Sequence, residues 1–217
     1  MKVEQRTRLC VAGLACAAMG AMLLGSGCAT SRGILDVQIT VPKNPASGRT
    51  VSIVRVTDRR QFQEATREPS IPSLKGNEIR DKAITSRAIA RKRDEYGKAM
   101  GDILLPEGRT VEDLVWGALT RSFREAGFRV IDGSEAAPDK STPVEADIDQ
   151  FWAWTTPGLW AVSLQFEARI KIKGDVPSFK KGETVRAHVE VHAPAATGAS
   201  GRAWLNTINQ GVDALVQ

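Results

Sequence analysis

Apolar and polar residues alternate without a break from Trp160 to Ile172. Trp160, Val162, Leu164, Phe166, Ala168, Ile170 and Ile172 fall on one side, and Ala161, Ser163, Gln165, Glu167, Arg169 and Lys171 on the other. A period of two held this long predicts a strand buried on one face and wet on the other. Upstream, Val144, Ala146 and Ile148 alternate with Glu145, Asp147 and Asp149, which predicts a partner strand folded back around Thr155-Thr156-Pro157-Gly158. Toward that turn the alternation lapses, because Phe151-Trp152-Ala153-Trp154 is apolar on both faces.

The same rule predicts further strands over Ile34 to Val41, Thr50 to Thr57, Phe128 to Ile131 and Thr184 to Ala193. Two segments change to a helical period. Val111, Leu114, Val115, Ala118, Leu119, Ser122 and Ala126 make one face of a helix from Thr110 to Ala126, with Thr110 and Asp113 as a capping box and Gly127 as its stop. Trp204, Ile208, Val212 and Leu215 make one face of a second, from Gly201 to Val216. Strands outnumber helices and the hairpin is directly connected. The expected fold is therefore α+β, a mostly antiparallel β-sheet with a central long hairpin and two main helices packed on one face.

Between Asp58 and Arg109 the chain changes character. It carries twelve Lys or Arg against nine Asp or Glu and has few long apolar runs. Such a stretch in a compact domain is either a functional excursion or a mobile segment. Within it Ile84 to Met100 has the composition for a turn or two of helix. Arg87, Arg91, Lys92, Arg93 and Lys98 are its most basic part, read either as a solvated loop with scattered ion pairs or as a contact for anionic lipid headgroups, glycan or an acidic partner. Gly97, Gly101 and Gly108 lack the strand-to-helix context and spacing of a phosphate-binding loop.

The 217 residues, 42% apolar and 25% charged, suffice for one domain with a genuine core. At the N-terminus, Lys2, Arg6 and Arg8 precede the apolar run Leu9 to Leu24 and the small residues Gly25-Ser26-Gly27 ahead of Cys28. This is the layout of a secretory signal, with an apolar core too short and too rich in small residues for a membrane span. The net charge is +5, of which the signal holds +2, so the remainder is only mildly basic and nucleic acid is not an expected partner. Cys10 and Cys16 would leave with the signal, so the mature chain would keep only Cys28.

The junction resembles that of bacterial lipoprotein precursors, with Gly25 where leucine is usual and Leu24 one place earlier. The resemblance implies lipid on Cys28. Ala29 is not the aspartate associated with inner-membrane retention, so it also implies an outer-membrane address on the periplasmic side. The expected organisation is a signal peptide over 1–27, a lipidated cysteine and short tether over 28–33, and one periplasmic domain over 34–217 with the basic excursion at 58–109.

Candidate chemistry is sparse. His188, Glu190 and His192 share one face of a strand about 6.5 to 7 Å apart, which suits an exposed polar face better than convergent metal ligands. Glu145, Asp147 and Asp149 read as a solvated strand face. No catalytic residue, metal site or cofactor is expected. The aromatic tip offers more: Trp152, Trp154 and Trp160 can share one face, with Phe151, Ala153, Leu159 and Ala161 on the other. Phe151, Trp152, Trp154 and Trp160 either fill the open end of the core or touch the bilayer or a partner protein.

The order of elements adds a further likeness. Cys28, the strand Val51 to Thr57 with Asp58-Arg59-Arg60, the basic excursion, the helix ending in Gly127-Phe128-Arg129-Val130 and the strand Val144 to Trp154 resemble the YajG-like uncharacterised lipoproteins. The layout is also similar to the auxiliary lipoproteins of envelope ABC-type lipid transporters. Both resemblances imply an α+β domain and carry no catalytic residues. The expected function is a non-enzymatic outer-membrane lipoprotein acting as an envelope binding or assembly component, held to the membrane by its lipid and meeting an envelope protein partner. An auxiliary subunit of an envelope lipid-transport system is the alternative.

Overall fold

The sixteen-residue strand Thr142–Pro157 is the axis of the molecule. In the computed structural model the described residues are 32–64, 66–94, 96–131, 141–158, 160–175, 182–194 and 200–217. Cys28, the signal preceding it and Leu159 lie outside them. In chain order the strands are β1 (Gly33–Ile34), β2 (Thr50–Asp58), β3 (Gln63–Glu64), β4 (Ser73–Leu74), β5 (Ala88–Arg93), β6 (Ala99–Leu104), β7 (Arg129–Ile131), β8 (Thr142–Pro157), β9 (Ala161–Gly174) and β10 (Glu183–Pro194). The helices are α1 (Lys82–Thr85), α2 (Val111–Glu125) and α3 (Gly201–Val216), with a short 3₁₀ turn at Gly76–Arg80.

Along one edge β8 pairs antiparallel with β9 from Val144 to Pro157, and β10 extends the sheet beyond β9. Two strands share its other edge. β2 runs parallel to the first half, from Thr142 to Ile148, and β5 runs parallel to Ala153 and Trp154. β7 pairs parallel with β2, while β6 and then β1 continue outward from β5. The sheet is therefore mixed, which corrects the expectation of a mostly antiparallel one. Alternation reports which face is buried and says nothing of strand direction. Here segments from before β8 return to its free edge parallel to it.

Other expectations change as well. Only Gly33–Ile34 forms a ladder at the start; of the residues that follow, Val37 is buried without belonging to a strand. Of residues 84–100, expected to hold a turn or two of helix, only Ile84 and Thr85 are helical, at the end of α1; the rest supplies β5 and the first two residues of β6, because Ala88, Ile89 and Ala90 are buried on both faces. In β2 the irregular alternation has a cause: the register shifts between Ile53 and Arg55, leaving Val54 exposed.

A second register shift, between Ile148 and Gln150, explains the lapse near the hairpin tip. Val144, Ala146 and Ile148 face the main core, Asp149 is exposed, and beyond it the odd residues Phe151 and Ala153 take over that face. The other face then carries Trp152 and Trp154, which pack with Leu74, Ala88 and Leu104 in a second cluster edged by Phe62, Ile79 and Ile84. A single extra residue thus flips the strand and gives its second half two buried faces.

The helical layer covers the main core. α2 begins with the reciprocal Thr110–Asp113 capping box and buries Val111, Leu114, Val115, Ala118, Leu119 and Phe123. It ends where Gly127 adopts φ +84, Phe128 N–H donates to the Phe123 carbonyl, and the two rings meet edge to face. α3 buries Trp204, Ile208 and Val212, and Gly211 lies so close to the Phe166 ring that a methyl group there would collide with it.

Where β2 ends and β5 has not yet begun, the edge of β8 lacks a backbone partner. The side chain of Arg60 takes that place. Its Nη1 donates to the carbonyls of Ala88 (2.6 Å) and Phe151 (3.1 Å), and Nη2 to Thr85 (2.8 Å). Asp58 accepts from Nε at 2.9 Å and from Nη2 at 2.7 Å, and the guanidinium lies 5.1 Å from the Phe62 ring centre. The arginine side chain is wholly buried. Replacing it removes this donor from three carbonyls and leaves the Asp58 carboxylate without its counter-charge, holding only the backbone N–H of residue 60, so Arg60→Met is expected to lower unfolding free energy by about 3–5 kcal/mol in urea denaturation. An unchanged midpoint contradicts this.

Candidate functional site: a cationic cleft

Chain from the excursion folds over the second face of the sheet and leaves a cleft of about 700 Å³ beside β5. One wall is the β5–β6 turn. Asp94 pins it: its carboxylate accepts from the backbone N–H of Tyr96 (3.0 Å) and Lys98 (2.8 Å), and Gly97 supplies a positive φ of +77. The opposite wall comes from the β3–β4 pair and its loop, with Glu64, Arg67, Ser73, Leu74 and Lys75. Arg91 and Arg93 enter from β5 itself, two apart on the strand and therefore on one face.

Arg91 and Arg93 each carry a buried donor that the protein leaves unbonded, a feature that outside the cleft Arg124 shares at its Nε. Arg91 is only 8% exposed, and its Nη1 has no hydrogen-bond partner. Burial holds its guanidinium below the ordinary arginine value, against the pull of Asp102 and Glu78. Those two carboxylates are already bonded to Arg32, each at 2.8 Å. Arg93 donates from Nη1 to the Gly97 carbonyl at 2.8 Å, yet its buried Nε has no partner. Burial, and after it the charge of Arg91, pushes the Arg93 guanidinium down, with Glu68 opposing. Arg67, Lys75 and Lys98 add three more cations to the lining, against Glu64 as the lining carboxylate. Among the described residues none of these five cations forms an ion pair. The cleft can hold an anion.

The basic residues singled out from sequence thus divide. Arg91 and Arg93 line the cleft, whereas Arg87 donates to the Leu105 carbonyl at 2.9 Å and Lys92 lies on the other side of β5, its Nζ near Gly33. Lys98, also singled out, lines the cleft from the β5–β6 turn, whereas Arg67, Lys75 and Tyr96 were not singled out. Their signal was the cationic excess of the excursion as a whole; what gathers them is the β3–β4 pairing and the β5–β6 turn.

The aromatic residues divide too. Phe151 (1% exposed), Trp152 (0%) and Trp154 (5%) are interior, so none of the three is available to a membrane or partner. Phe151 meets Phe166 edge to face at 4.9 Å, and Trp152 meets Phe62 at 5.9 Å. They are buried on both faces because the excursion covers the side that the two helices leave open. Trp160 stands at the hairpin tip, 89% exposed.

His188, Glu190 and His192 point outward on β10. His192 Nδ1 lies 2.9 Å from Ser163 Oγ, and its Nε2 lies 4.0 Å from Glu190. Among the described residues no group of three His, Cys, Asp or Glu is placed to hold a metal. Glu145 and Asp147 pair with Arg55 (2.9 Å) and Arg59 (3.3 Å) across neighbouring strands, and Asp149 is the exposed residue of the register shift.

No protein-family model and no curated protein matches this sequence. Among solved structures, a crystal structure titled only as an uncharacterized protein aligns over 86% of this chain and 94% of its own, with a TM-score of 0.42 and 9% identity. So remote a likeness carries no functional argument.

The two tryptophan environments are separable by experiment. Trp152→Ala should cost about 3–5 kcal/mol of stability, as expected for a buried aromatic. Trp160→Ala should stay within about 0.5 kcal/mol of the parent. Urea denaturation of both variants checks this, and equal losses would contradict the placement.

Proposed function

We propose that the protein is a non-enzymatic lipoprotein of the outer membrane, anchored on the periplasmic side, that serves as an envelope binding or assembly component. The binding role rests on one observation: two arginines of the cleft, Arg91 at Nη1 and Arg93 at Nε, each hold a buried donor with no partner. Proteins rarely leave a buried donor unbonded, so such a group is a candidate to be completed by a ligand. Side chains with potential for acid–base chemistry have other occupations. Glu145 and Asp147 are in cross-strand ion pairs, and Asp58 is bonded to Arg60.

The anchor rests on Cys28, preceded by a basic start, an apolar run and three small residues. Four residues separate Cys28 from Gly33, a reach of at most about 17 Å over the five steps, so the folded domain works close to the bilayer. The alternative, an auxiliary subunit of an envelope lipid-transport system, is favoured by the exposed indole of Trp160 at the hairpin tip. Lipid copurifying with the wild type and lost in Trp160→Ser would select it.

The anchor is tested by mass and membrane fraction of protein made in a bacterial envelope, wild type beside Cys28→Ser. A chain beginning at Cys28 with a lipid-sized increment, absent from the variant, is the expected result. An unlipidated chain cut elsewhere and recovered in the soluble fraction would refute it.

A further inference from the structure

We propose that the cleft is a binding site for a phosphate monoester, recognised through Arg91 and Arg93. The proposal deepens the binding reading above and does not depend on the anchor. Its geometric basis is that Arg91 brings a guanidinium with an unbonded Nη1 into a site where its neighbouring carboxylates already belong to Arg32. Arg93 brings an unbonded Nε from the same face of β5. Leaving such donors unpaired costs free energy unless a ligand bonds to them. Arginine forks match phosphate and carboxylate geometry equally well, so the choice between these ligands rests on charge and direction.

Among the described residues five lining cations face one lining carboxylate, Glu64, with Glu68 near Arg93. A single carboxylate ligand would leave most of that charge unbalanced, whereas a phosphate monoester carries nearly two negative charges at neutral pH. Donors also approach from three directions. Arg91 and Arg93 come from the strand, Lys98 from the β5–β6 turn, and Arg67 with Lys75 from the opposite wall. A tetrahedral group with three free oxygens can meet all three; a planar carboxylate cannot. The volume, about 700 Å³, far exceeds one phosphate group and lies in the range of small-molecule sites. The ligand therefore has a body beyond its phosphate, facing Leu74, Tyr96 and Ala99.

The phosphate could belong to a soluble ester or to a lipid headgroup, and the test separates these sources. Full-length Cys28→Ser protein in detergent is titrated calorimetrically with inorganic phosphate and with glycerol phosphate; separately, after detergent removal, it is mixed with vesicles of phosphatidic acid in phosphatidylcholine and with phosphatidylcholine alone. Saturable binding of a soluble probe, weakened at least tenfold by Arg91→Met, is the expected result for a soluble ester. Binding only to the phosphatidic acid vesicles, with the same dependence on Arg91, assigns the lipid source.

Arg91→Met should not lower the melting temperature, because it removes a desolvated charge lacking an ion-pair partner. If it does lower it, the rim pair Arg67→Ser/Lys98→Ser decides, and must weaken binding at an unchanged melting temperature. Absence of binding to every probe, or binding indifferent to these substitutions, overturns the proposal. Neither result touches the anchor, since Cys28 is already replaced.

Discussion

A buried guanidinium replaces a missing stretch of sheet. β8 is longer than either strand on its second edge, and between the end of β2 and the start of β5 its Phe151 carbonyl would point at nothing. Arg60 reaches into that gap, bonds Phe151 together with the carbonyls of Ala88 and Thr85, and is itself neutralised by Asp58 two residues earlier. The arrangement meets the conditions under which a buried ion pair is tolerated, with close opposite charge and hydrogen bonds to the remaining donors. It also ties three elements at one point: the end of β2, the α1–β5 connection and the second half of β8. The excursion lies against the sheet because its first residues are fastened there.

That fastening makes the second buried layer possible. The register shift at Asp149 turns Trp152 and Trp154 away from the helices, and without a cover two indoles would face water. Leu74, Ala88 and Leu104 supply the cover, all from the excursion. The cleft opens where this layer ends, at the β5–β6 turn. Its cations contrast with Arg60 in the respect that matters for function. The donors of Arg60 are matched by protein oxygens, so its role is architectural. Arg91 and Arg93 each keep one buried donor unmatched, and the binding role proposed for them rests on that difference.

Much of the fold was legible in the residues, and the failures have physical reasons. The β8–β9 hairpin, the capping box at Thr110 and Asp113, and α3 each announce themselves through period or end chemistry that local interactions enforce. Strand direction does not, because a parallel neighbour arriving from far along the chain leaves no mark on alternation. The stretch Ala88-Ile89-Ala90 is short, small-sided and surrounded by arginine and lysine, and reads as helix or loop until both of its faces are covered. The double-sided run Phe151 to Trp154 was visible as an anomaly, yet its cause was a one-residue bulge plus a covering layer that only the tertiary structure supplies. For the site, Arg91 and Arg93 were legible as charge, but their separation from Arg87 and Lys92 depends on which face of β5 each occupies. Lys98, legible with them, joins through the β5–β6 turn, while Arg67 and Lys75 join only through pairing of the β3 and β4 segments.

The account turns on the excursion being a folded layer and not a solvated loop. Native-state amide hydrogen exchange on the wild-type protein tests this directly. The amides of β5, bonded between β6 and β8, should exchange as slowly as those of the β8–β9 hairpin. Rapid exchange throughout 58–109, with the hairpin still protected, would contradict the account and remove the structural basis of the cleft.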